Sequence, residues 1–114
     1  MDRHILLETY RRDGRAVRTP VWFVPRGGDM YVITRDMTGK AKRLRHSKRA
    51  RFAPCSFRGT QRGEWTRCTA TLEPGMTGQV MSWRNQRYGM FSRLAAVASR
   101  GRGEIIAVRL VPES

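Results

Sequence analysis

Met30-Tyr31-Val32-Ile33-Thr34, followed by Thr38-Gly39-Lys40-Ala41-Lys42-Arg43-Leu44-Arg45-His46 and ending near Arg51, carries the reading of this chain. An extended apolar run leads into a basic helical segment predicted from about Gly39 to His46. Thr38 is placed to cap that helix, Gly39 lets a ligand approach the backbone, and the first-turn N–H groups have no partner inside the helix. An anion is the natural occupant of such a site. Lys40 in the first turn opposes the helix dipole, which favours negative charge there by roughly 0.3 to 1 kcal/mol, so a bound anion would offset its placement. Lys42 and Arg43 add positive charge nearby. The same spacing also describes an exposed basic helix with Ala41 and Leu44 turned to the core, and spacing alone does not choose.

Working outward, the chain reads as mainly β with a few short helices. Ile5 to Tyr10 and Val17 to Val24 flank the turn signal Arg12-Asp13-Gly14 and predict a hairpin. Pro25-Arg26-Gly27-Gly28-Asp29 predicts a second turn into Met30 to Thr34, which makes a three-stranded antiparallel meander. Ala50 to Phe57 reads as the next strand and Arg58 to Gly63 as a polar loop. Over Glu64 to Glu73, Trp65, Arg67, Thr69 and Thr71 alternate with Thr66, Cys68, Ala70 and Leu72, so one face is buried. Val80 to Tyr88 and Met90 to Arg100 have helical spacing, and Gly101-Arg102-Gly103 turns into a last strand, Glu104 to Val111. Six short strands favour a small barrel, because closure removes exposed edges; the alternative is an open α+β sandwich.

The 114 residues are enough for one core and predict a single domain, 1–114. No apolar run approaches the length of a membrane span, and the opening Met1-Asp2-Arg3-His4 is too soon charged for a secretory signal. A cytoplasmic protein without membrane insertion is expected. Cys55 and Cys68 have no metal-ligand spacing with each other or with His4 and His46, so buried free thiols and no metal are expected. The formal charge of +14 requires an anionic partner, which could be nucleic acid, a phosphorylated cofactor or acidic lipid.

Element order and residues together resemble the split-barrel flavin and deazaflavin oxidoreductases related to pyridoxamine phosphate oxidase. The resemblance rests on Leu6 to Gly14 leading to Thr19-Pro20-Val21-Trp22-Phe23, on Met30 to Thr34 with Thr38 to Arg45, and on Ala53-Pro54-Cys55. These runs are most similar to the branch that uses the deazaflavin coenzyme F-420. The resemblance implies a six-stranded split β-barrel of the FMN-binding type, homodimeric, with cofactor sites at the subunit interface. It implies that Lys40 and Thr38 hold the cofactor phosphate, that Pro20, Val21, Trp22 and Phe23 lie along the ring system, and that Thr34 contacts the phosphate or ribityl chain. Gly39, Lys42 and Arg43 complete the implied cofactor-binding set.

Two departures stand out. Relatives carry a helix before the first strand, whereas this sequence opens almost at the strand. Many also have Asn-Pro after the grip helix, where Ser47-Lys48 stands here.

The function implied is an F-420-dependent oxidoreductase that transfers hydride to an unidentified small organic substrate. No acid–base pair is recognisable, which fits chemistry carried by the cofactor while the protein orients it. The alternatives are the same fold holding FMN, a carrier that binds without turnover, and a basic nucleic-acid-binding barrel in which Trp22, Phe57 or Trp65 stack bases. The leading reading expects no sequence-specific nucleic acid partner. Trp65, Trp83 and Tyr88 could line the substrate pocket, or belong to core or interface.

Overall fold

The computed structural model describes residues 4–35, 38–88 and 104–113. Strands β1 (His4–Tyr10) and β2 (Ala16–Trp22) form the predicted hairpin, with Tyr10 opposite Ala16 and His4 opposite Trp22. Its turn places Gly14 at φ +88°, a conformation that glycine adopts without steric cost.

The run Val17 to Val24 does not remain one strand. The β1 ladder ends at Trp22, and from Val24 the chain pairs with a different neighbour, so β3 (Val24–Arg26) is a separate strand hairpinned to β4 (Asp29–Arg35). Gly27 and Gly28, both at positive φ, make the two-residue turn, whose twist matches that of paired strands. Among the described residues the sheet therefore has seven strands, not six, and the expected meander is absent, because β4 pairs with β3 and β7 (Ile105–Pro112) instead of β2. Pro25 explains why β3 is short and lies at an edge: it has no N–H to give a second neighbour.

Sheet order is β2-β1-β5-β6-β7-β4-β3, with β5 at Arg49–Cys55 and β6 at Thr66–Glu73, and every pairing is antiparallel. The two edge strands β2 and β3 are joined through the single residue Phe23. A flat sheet of seven strands would hold its edges roughly 29 Å apart at about 4.8 Å per step. One residue cannot bridge that distance, so the sheet must curl until its edges meet, which makes the half-barrel.

Helix α1 (Gly39–His46) has the predicted bounds and inserts Leu44 into the concave side among Ile5, Leu7, Val21, Phe23 and Val32. Truncating such a side chain, Leu7→Ala for example, costs roughly 2 to 5 kcal/mol through lost transfer energy and the cavity left behind. On β6, Cys68 and Ala70 are buried while Arg67 and Thr69 are exposed, as the alternation predicts. Both cysteines are buried and not joined in a disulfide, and burial pushes the Cys68 thiol up to about 12.

Helix α2 (Thr77–Tyr88) starts three residues before the predicted Val80, following a 3-10 turn at Pro74–Met76. Gly78 and Gln79 carry no apolar periodicity. What holds this start is Thr77, whose hydroxyl accepts the Ala107 N–H at 3.1 Å, and Val80, which packs with Tyr31 and Ala107 in a second small core. The spacing over Met90 to Arg100 and the turn Gly101 to Gly103 lie outside the described residues. Among the described residues no helix is long and apolar enough to cross a membrane.

Candidate functional site

At the start of α1 the backbone turns from β4 into the helix, and the predicted grip residues converge. Thr38 is the N-cap: its Oγ1 accepts the Ala41 N–H at 3.4 Å and donates to the Arg35 carbonyl at 2.7 Å. Thr34, buried on β4, lies with its Oγ1 3.0 Å from that of Thr38. A hydroxyl has one proton, and Thr38 spends its own on Arg35, so Thr34 is the donor of the pair. Both hydroxyl protons are thus engaged within the protein. An anion here would be met by the N–H groups that a helix start aims outward and by the cations around them.

A Cβ on Gly39 would stand 2.7 Å from Nη1 of Arg43, so the bare backbone there leaves room for this guanidinium beside the helix start. Arg43 is pinned from behind, its Nε donating to the hydroxyl of buried Thr9 at 2.6 Å. Burial, then the nearby charge of Arg11, lower its basicity from the usual arginine value. A cation held rigidly near a second cation is relieved by an anion between them.

Gly39, Lys42 and Arg43 form one wall of an open groove of about 970 Å³ whose other wall is the β1–β2 turn with Arg11, Arg12 and Arg15. Asp13 is the only carboxylate among the described residues that line it, and Arg15 already holds it at 2.7 Å. Lys40 lies half-buried in the first helical turn.

Pro20, Val21 and Trp22 do not share one environment. Alternation along β2 turns Val21 into the core at 9% exposure, whereas Pro20 is exposed and faces the loop at Gly59. Only Trp22 presents a half-buried ring, with Tyr88 at 4.7 Å between centroids and His4 edge-on at 6.0 Å. The Arg84 guanidinium lies over Trp22 at 5.1 Å. Burial lowers the Arg84 pKa, the Tyr88 hydroxyl raises it, and the charge of Arg35 lowers it further. Arg35 follows Thr34, so the line of neighbours from Trp22 to the helix start runs through Arg84 and Arg35. Neither arginine carries a sequence signal, because only the fold brings α2 against the end of β2. Tyr88 also donates a hydrogen bond to the Phe23 carbonyl, at the junction between the sheet edges.

Trp65 and Trp83 are already covered. Trp65 lies beneath Arg51 at 4.1 Å and Arg18 at 5.1 Å, and Trp83 packs edge-on against Tyr31 at 5.3 Å beneath Arg26 at 4.7 Å.

Glu8 likewise carries no local signal in the sequence. It is 2% exposed on the outer face of the sheet, accepting from Arg51 at 2.7 and 3.1 Å, Arg18 at 2.8 Å and Tyr10 at 2.8 Å. Burial raises its pKa, but the hydrogen bonds from Arg51, Arg18 and Tyr10 outweigh that and hold it at about 2. An ionised, fully engaged carboxylate is a structural anchor and not a proton carrier.

No protein-family model and no curated protein matches the sequence. Solved structures do match. A putative pyridoxamine 5'-phosphate oxidase from Listeria innocua superposes with a TM-score of 0.69 at 12% identity, over 98% of this chain and 85% of that one. A pyridoxamine 5'-phosphate oxidase-related, FMN binding protein from Nostoc punctiforme gives 0.67 at 15% identity, over 96% and 71%. The heme storage protein HutZ from Vibrio cholerae gives 0.74 at 15%, over 99% and 83%. The chain thus shares the split-barrel fold of pyridoxamine 5'-phosphate oxidase-like proteins. Since that fold also serves heme storage, the ligand has to be argued from the residues.

Proposed function

We propose that the chain binds FMN, with the phosphate at the start of α1 and the ring system beside Trp22, and acts as an oxidoreductase on a small organic substrate. The observation that carries this reading is the convergence of the capped helix start, Lys40 and the pinned Arg43, in a fold shared with a protein described as FMN binding. The residues fit a phosphate: the N–H groups at Gly39 and Lys40 face the N-terminus, and positive charge surrounds them. Trp22, with Tyr88 and Arg84 packed on it, supplies a half-buried aromatic edge beside which a flat ring would lie. When bound, FMN supplies the redox chemistry, so the protein has to position and shield it. Thr34 and Thr38 hold the cap rigid, Arg43 sets the charge beside it, and Arg84 sets the electrostatics along the Trp22 side. The reading includes a homodimer with the cofactor between subunits.

The deazaflavin F-420 is the second reading, and the groove favours it. The groove lies at the turn end of the β1–β2 hairpin and Trp22 at the other end, roughly 20 Å away at about 3.3 Å per residue. A ligand whose ring reaches Trp22 and which also fills the groove must be elongated and anionic along its length, as a cofactor with a glutamate tail is.

Titration of the protein with FMN and with F-420, followed by absorbance and fluorescence, tests both. Lys40→Ala is expected to weaken the bound cofactor by about 1.5 to 3 kcal/mol, the worth of a charge-assisted hydrogen bond, or roughly tenfold to a hundredfold. Arg58→Ala, on the loop after β5, is expected to change little. Equal losses from both substitutions would move the site away from α1.

A further inference from the structure

The chain has 23 Lys and Arg against nine Asp and Glu, far more cations than the start of α1 employs. Much of the excess lies on one continuous surface. Tyr10 is a shared wall of two hollows: the groove of about 970 Å³ already described, and a second of about 440 Å³ on the outer face of β1, β5 and β6, where Arg49, Arg51 and Arg67 stand. Among the described residues, nine Lys and Arg line the joined hollows against three carboxylates, Glu8, Asp13 and Glu113. Two of those carboxylates are committed, Asp13 to Arg15 and Glu8 to Arg51, each at 2.7 Å. Arg11, Arg12, Lys42, Arg49 and Arg67 are all exposed along the path.

The aromatic rings on this surface are covered by guanidinium groups. Arg49 lies 4.2 Å over Tyr10, and Arg51 and Arg18 lie over Trp65. Stacking on bare rings is how sequence-tolerant proteins hold bases, and here those faces are occupied while the positive charge points outward. The surface is therefore built to meet phosphates and not bases.

We propose that this track binds the phosphate backbone of a single-stranded nucleic acid without reading its sequence. A single strand is favoured over a duplex because the path turns at Tyr10 from the α1 side to the outer face of a curled sheet, in a molecule only 36 × 30 × 27 Å. A duplex, with a persistence length of about 150 base pairs, does not follow such a bend, whereas a single strand does. The inference does not depend on the cofactor reading.

The test is fluorescence anisotropy of a labelled oligothymidylate of about 20 nucleotides over a series of salt concentrations. If about three to five phosphates are neutralised, log affinity falls linearly in log salt with a slope of roughly 2 to 3.5, at about 0.7 per phosphate for single strands. The variant R11Q/R12Q/R49Q/R67Q lowers that slope by roughly 2 and the affinity by tenfold or more. The variant R26Q/R58Q/R62Q, which removes cations away from the track, changes affinity by less than about threefold. R11K/R12K/R49K/R67K keeps the charge and keeps binding, which guards against a folding defect in the glutamine variant. Oligoadenylate binds alike, and a duplex of equal length binds more weakly. Arg49 and Arg67 lie outside both cofactor readings, so R49Q/R67Q, which lowers the slope by roughly 1, separates failure of this inference from failure of the cofactor reading when FMN is titrated into the same samples. A flat salt dependence, equal losses from the on-track and off-track glutamine variants, a strong base preference, or tighter binding of duplex would overturn the proposal.

Discussion

Replacing Glu8 by glutamine removes a charge without changing shape, and its consequence for stability can be worked from the network around it. The carboxylate is 2% exposed, and its pKa stands at about 2 against an ordinary 4.5. At about 1.4 kcal/mol per unit the ionised form contributes about 3 kcal/mol near neutral pH. Arg18 is half exposed, which screens its share. Removing one partner of a buried pair costs roughly 3 to 5 kcal/mol, so about 3 is the consistent expectation.

The pH dependence of this contribution has a definite sign. A carboxylate depressed in the folded state stabilises above its unfolded pKa, and the contribution disappears as pH falls through the folded value. For wild type, about 1 kcal/mol of it is gone by pH 3.5 and nearly all by pH 2. Glu8→Gln lacks that dependence, so the gap between the two proteins closes across the same window. Urea denaturation of both at intervals from pH 7 to 3 measures it. Parallel stability curves, or a loss below about 1 kcal/mol at pH 7, would refute the assignment of Glu8 as the anchor of the outer face.

Gly39→Ala is expected to alter stability little, because the Cβ meets only the far end of the Arg43 side chain, beyond the Nε that Thr9 holds. By displacing that guanidinium it should weaken FMN by about threefold to tenfold, and unchanged affinity would remove Arg43 from the site. Thr38→Ala loses the helix cap and should cost about 1 kcal/mol in thermal or chemical denaturation; a loss of less than a few tenths would show that packing of Leu44 holds the helix without it. In sedimentation the chain is expected to run as a dimer at micromolar concentration, and a monomer that still binds FMN tightly would sink the interface-site model.

Local chemistry made several features legible in the sequence. Thr38 with a glycine and a basic run specifies a capped helix by side-chain hydrogen bonding alone, and its bounds match at both ends. Arg12-Asp13-Gly14 specifies a turn because glycine reaches positive φ there. The alternation over β6 separates Cys68 and Ala70 from Arg67 and Thr69, since a strand has only two faces.

What the sequence could not carry are the relations between distant segments. Val17 to Val24 reads as one strand, and only the pairing partners reveal that it changes neighbours at Phe23 and so forces the sheet to curl. Val21 and Trp22 look alike as apolar candidates, but strand direction sends one into the core and the other to Tyr88 and Arg84. Arg43 was legible as a cation beside the grip, but not as the side chain that occupies the space at Gly39. Glu8 gave no signal because its meaning lies in Arg18 and Arg51, 10 and 43 residues away. Capping, turn and alternation are short-range and written in neighbouring residues, whereas a buried charge, a curled sheet and a basic track exist only once the chain has brought remote residues together.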